Sequence, residues 1–168
     1  MDIFIINTNN VDYIDEDLLK QFEHKKFSNV AKWREHCLAY LMLDRILREV
    51  YKISDRNISF KNGKPYLLNG DKHFSISHCK QVISIAFSDC DCGVDIEQIK
   101  QREYKKIAVR KNFNSNSLEE FYCDWTKYEA EYKLNGIAQA YKQFQYEEYM
   151  ITAVSKNPQE DFEIYIQN

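Results

Sequence analysis

The chain has 168 residues, a length that suits one domain or two tightly joined small halves. Hydrophobic residues make up 44% of it, enough to build a core, which excludes a disordered chain. A formal net charge of −3 argues against a general nucleic-acid binder. Five cysteines with no CxxC pair, and a start (Met1-Asp2-Ile3-Phe4) that lacks a charged leader region, read as reduced thiols in the cytoplasm. No run of about 18 apolar residues occurs, so no membrane span is expected. Cys90-x-Cys92 near His78 invites a zinc reading, but four-ligand spacing is missing.

In chain order, residues 3–6 read as a first strand. A helical pattern runs from about 15 to 50, with Ala39, Leu43, Ile46, Leu47 and Val50 forming a buried stripe. Residues 57–60 make a short strand, and Asn62-Gly63-Lys64-Pro65 a turn. Residues 73–78 alternate weakly, whereas 82–87 and 92–97 read clearly as strands. A helix over about 104–111 and a polar loop over 112–116 lead to a longer helix over 117–136. Residues 149–154 and 162–166 read as a closing pair of strands around Asn157-Pro158. This order is α+β rather than a regular βαβ alternation. A seam near residue 90 splits it into two α/β halves, 1–91 and 92–168.

The helix over 117–136 has sharp ends. Ser117 with Glu120 makes a capping box, and Asn135-Gly136 is a stop. Leu118, Phe121, Tyr122, Trp125 and Tyr132 recur at helical spacing and predict its buried face. At about 100° per residue, Glu129 falls on that face, about 20° from Leu118 and from Tyr122. A carboxylate there needs a cation or hydrogen-bond donors, because stranding it is costly. Upstream, Gly93-Val94-Asp95-Ile96-Glu97 alternates, so Asp95 and Glu97 share one face of a strand. Three carboxylates that converge would suit a hard divalent cation, Mg²⁺ first among them.

Each feature also has an ordinary explanation. Two acids at i, i+2 are usually a solvated strand edge. Glu129 and Lys133 at i, i+4 make a helix ion pair worth about 0.3–0.5 kcal/mol. Facing a metal, the same two side chains suit a proton acceptor and a charge stabiliser. His78 in Ser75-Ile76-Ser77-His78 reads as structural or as a phosphate contact. Lys100, Arg102, Lys105, Lys106, Arg110 and Lys111 form either a solvated basic face or a docking surface for an acidic protein.

Four short motifs then stand in order. They are Gly63-Lys64-Pro65, Ser77-His78-Cys79, Gly93-Val94-Asp95-Ile96-Glu97, and Trp125-Thr126-Lys127-Tyr128-Glu129-Ala130-Glu131-Tyr132-Lys133. Together, over about residues 60–134, they resemble the surfactin-type (Sfp-like) 4′-phosphopantetheinyl transferases. Tyr128 stands where that family has a lysine, and Cys79 where it has a serine. The resemblance implies a pseudo-twofold fold of two α/β halves with coenzyme A in the cleft between them. It implies Mg²⁺ on Asp95, Glu97 and Glu129, with Glu129 and Lys133 in catalysis. It also implies Lys64 and Pro65 at the adenine, and His78 at the 3′-phosphate, with Ser77 and Arg34 on the same coenzyme A side. Arg34 is the nearest counterpart of an arginine in the family's long helix.

The implied reaction moves phosphopantetheine from coenzyme A to a serine of an apo acyl or peptidyl carrier protein and releases 3′,5′-ADP. The expected protein is a monomer with no nucleic-acid partner. Two rivals remain: another Mg²⁺-dependent phosphate-ester enzyme such as a nuclease, and a non-catalytic carrier-binding relative.

Overall fold

The computed structural model describes residues 1–11 and 14–167. The strands are β1 (Asp2–Asn7), β2 (Ile58–Lys61), β3 (Lys64–Leu67), β4 (His73–Cys79), β5 (Val82–Ser88), β6 (Cys92–Gln98), β7 (Ala140–Tyr146), β8 (Tyr149–Ser155) and β9 (Glu163–Gln167). The α-helices are α1 (Glu16–Lys20), α2 (Val30–Glu49), α3 (Lys105–Lys111) and α4 (Leu118–Leu134). The mixed α+β class expected from the sequence is present and is compatible with a phosphopantetheinyl transferase fold.

Strand alternation builds the layers. In the first sheet, ordered β4-β5-β1-β9, one face carries Phe4, Ile6, Phe74, Ile83, Ile85 and Phe87 against α2. The opposite face carries Ile3, Ile5, Val82 and Ala86, which pack on Val94, Ile96, Ile151 and Ala153 of the second sheet, β6-β8-β7. The outer face of that second sheet is covered by α4. The two sheets meet at an edge. There the hydroxyls of Ser75 and Ser77 on β4 accept the Val94 and Ile96 amides of β6, at 3.0 and 3.3 Å. These side chains stand in for main-chain partners that the end of each sheet lacks.

Several sequence expectations change. The single helix over about 15–50 is two helices. Asp15 caps α1 by accepting the Asp17 amide, and Asn29 caps α2 by accepting the Lys32 amide. The turn near residue 62 is tighter than expected. Asn62 and Gly63 both have positive φ and form a two-residue hairpin loop, so Lys64 and Pro65 already belong to β3. The strand β7 was not expected; its exposed polar alternation hides it. The two C-terminal strands are not a pair: β8 sits between β6 and β7, and β9 joins β1 in parallel. The second half of the chain therefore contributes a strand to the sheet of the first.

The buried face of α4 also differs from the expected stripe. Phe121, Tyr122, Thr126, Ala130 and Leu134 are buried, while Tyr132 is 75% exposed. From Tyr122 on, the buried positions recur every four residues, so each is turned about 40° around the axis from the last. Trp125, Glu129 and Lys133 consequently lie along the margin of the contact rather than beneath it.

Candidate functional site

The geometry starts at Gly93. A Cβ added there would lie 2.1 Å from the Ala130 carbonyl oxygen. Only glycine lets β6 and α4 touch backbone to backbone. That contact sets Asp95, two residues along β6, beside the last two turns of α4. Asp95 is buried, and its Oδ1 accepts the Ser77 hydroxyl at 2.9 Å and the Lys133 ammonium at 2.8 Å. Lys133 Nζ donates also to Ser77 Oγ at 2.8 Å and to the Val94 carbonyl at 3.0 Å. One ammonium thus pins β4, β6 and α4 together. Asp95 Oδ2, by contrast, is buried with no partner among the described residues.

Glu97 accepts the Trp125 indole N–H at 3.3 Å. Burial raises its pKa, and the Asp95 charge raises it further. The pKa of Glu129 is raised by burial and then by Asp95, with Lys133 and Lys111 opposing. Both glutamates therefore lie within electrostatic reach of Asp95. Lys111, from α3, donates to the Tyr128 hydroxyl at 2.7 Å and stands 4.0 Å from the ring centroid. It brings positive charge to the position where Tyr128 has none.

The structure thus brings Ser77, Asp95 and Lys133 into contact, with Glu97 and Glu129 within reach of the Asp95 charge. His78 emerges on the opposite face of β4 from Ser77, toward α2. Its Nδ1 stands 3.5 Å from Glu35 Oε2, too long for a good hydrogen bond, and is left buried without a partner. Burial first, then the charges of Lys133 and Lys25, push its pKa down to about 4, so the imidazole is neutral. Lys64 Nζ donates to the Cys92 carbonyl at 3.0 Å and ties the β2–β3 hairpin to the start of β6. Pro65 is half-buried next to it. Arg34 is half-buried on α2, with no hydrogen bond or ion pair among the described residues.

Two contributors escaped the sequence reading. Ser75 holds the Val94 amide, and Trp125 holds Glu97. The signal for the first was a hydroxyl at i and i+2 on an otherwise apolar strand. The second had none, because its partner is 28 residues away.

The donor set suits a hard divalent cation: three carboxylates, one of them with a buried, unsatisfied oxygen. It is not a closed cage. Among the described residues, no group of three or more His, Cys, Asp or Glu side chains stands where it could hold a metal ion as the side chains now lie. The Cys90-x-Cys92 pair diverges, with Cys90 Sγ 3.2 Å from Ser155 Oγ and Cys92 buried between the sheets. No helix is long and apolar enough to cross a membrane among the described residues.

No family model matches the chain. It is similar to the 4′-phosphopantetheinyl transferase gsp of Aneurinibacillus migulanus, with 28% identity over 130 residues, 70% of this chain and 54% of that protein. The chain spans about half the length of the curated relative it matches. This similarity supports a relation to the 4′-phosphopantetheinyl transferases.

Proposed function

We propose that the chain is a surfactin-type 4′-phosphopantetheinyl transferase that modifies an apo acyl or peptidyl carrier protein. The observation that carries this reading is the half-tied Asp95 carboxylate, with Glu97 and Glu129 in its field and Lys133 on its other oxygen. The similarity to a named phosphopantetheinyl transferase agrees with it.

In the reaction, a serine oxygen of the carrier forms a bond to the β-phosphorus of coenzyme A. The bridging P–O bond breaks, and 3′,5′-ADP leaves with the electron pair. The serine hydroxyl is a weak nucleophile and needs a base. Glu129 accepts its proton. Mg²⁺, held by Asp95, Glu97 and Glu129 when bound, would neutralise charge on the pyrophosphate. The Lys133 ammonium stabilises the leaving phosphate from the helix side.

Lys64 and Pro65, on the hairpin beside β6, line the adenine. His78 and Arg34, on the α2 side of β4, bind the 3′-phosphate, where a neutral His78 donates a hydrogen bond, while Ser77 on the other face orients Asp95 and Lys133 beside it. The expected partners are coenzyme A and an acidic carrier, and the expected state is a cytoplasmic monomer. Incubating an apo carrier with the protein, coenzyme A and Mg²⁺ should add the mass of one phosphopantetheine arm, read by intact-mass spectrometry. Carrier binding with no mass gain would reject catalysis and leave a carrier-binding relative.

A further inference from the structure

Lys133 has three ammonium hydrogens, and each has an acceptor within the protein: Asp95 Oδ1, Ser77 Oγ and the Val94 carbonyl, at 2.8, 2.8 and 3.0 Å. In this arrangement no N–H remains for a phosphate. The ammonium already sits where a cation would be most stabilised, against a side chain only 8% exposed. Asp95 Oδ2, buried and without a partner, marks the same carboxylate as under-neutralised. Among the described residues Lys133 is the cation hydrogen-bonded to Asp95, while Lys111, Arg102 and Lys100 act on the two glutamates from farther off.

We infer that Lys133 is the resident counter-ion of this carboxylate group, and that it and a divalent cation occupy the site in alternation. The inference rests on the reading of Asp95, Glu97 and Glu129 as a cation site. A divalent ion on Asp95 would stand within a few ångströms of the ammonium. In a half-buried setting the repulsion between a doubly charged ion and the ammonium exceeds the net return of the three hydrogen bonds that Lys133 gives up. Lys133 must therefore let go as the ion arrives. It can do so: it lies in the last turn of α4 and its side chain is 29% exposed. Once released, the ammonium has hydrogens free for an anion. Cation entry thus arms the residue that holds the phosphate, and a cation–diphosphate complex binds better than either part alone.

The test uses Mn²⁺ alone, titrated by electron paramagnetic resonance into the wild-type protein, Lys133→Met and Lys133→Gln. Both variants should bind Mn²⁺ about tenfold more tightly or better, since a competing charge is gone. Equal or weaker binding, or no bound Mn²⁺ in any of the three, overturns the inference. Should the variants fail to fold, acetylation of Lys133 in the wild-type protein, followed by peptide mass spectrometry, gives a second readout. Its labelling should rise when Mg²⁺ is added; an unchanged or lower rate rejects the exchange. Neither measurement involves coenzyme A or a carrier. A carrier that gains no mass, together with tighter Mn²⁺ binding in the variants, would reject the transferase and keep the exchange.

Discussion

His36 and His78 show how burial sets charge. Both are pushed down to about 4, with desolvation the leading cause in each, and His36 is packed among the rings of His24, Phe27 and Tyr40. In the unfolded chain each titrates near 6.5. Between the two values the unfolded state binds more protons, so stability is greatest above about pH 6.5 and declines as pH falls toward 4. Glu97 and Glu129, with raised values, act with the opposite sign near their own range, so a difference measurement is needed. Denaturant melts at several pH values should show a flatter acid limb for His36→Phe than for the wild-type protein. The same limb in both would mean that His36 titrates normally.

At the scale of elements, the contact between β6 and α4 decides where the acids stand. Gly93 and Ala130 allow it, and the added Cβ would meet main chain, which has no rotamer to relieve the clash. Gly93→Ala should destabilise the protein by at least about 2 kcal/mol, at or beyond the usual range for overpacking, as read from chemical denaturation. Whatever folds should also lose transfer, because Asp95 moves with β6. A variant with unchanged stability would show that the two backbones do not touch. The capping of α4 matches its sequence signs. Ser117 Oγ accepts the Glu120 amide at 3.1 Å, and Asn135 ends the helix at φ 57°.

For the whole molecule, the layers leave α3 on the outside with Lys105, Lys106 and Arg110 exposed. Val109 beside them is 77% exposed, and Lys111 links the helix to α4 through Tyr128. Under the proposed function, a basic helix with an apolar spot, adjoining the carboxylate site, suits an acidic carrier. Replacing Lys105 and Lys106 by Gln should raise the carrier KM severalfold at low salt, with the difference fading as the Debye length falls to about 3 Å at 1 M. An unchanged KM would return this face to plain solvation.

Much of this protein could be read from local pattern. The strands β1, β5 and β6, the caps of α4, and the shared face of Asp95 and Glu97 follow from periods and end signals within a few residues. The motifs around Lys64, His78, Asp95 and Glu129 were visible for the same reason. Other features depended on residues far apart in the chain. Tyr132 points to solvent because the buried positions of α4 drift around its axis away from it, β9 joins β1 because residues 163–167 return to the first half, and Lys133 sits on Asp95 because β4, β6 and α4 converge. Side-chain period is a local property of the backbone, whereas which faces meet depends on how separate layers pack, and only the folded chain brings two residues 38 positions apart to a 2.8 Å contact.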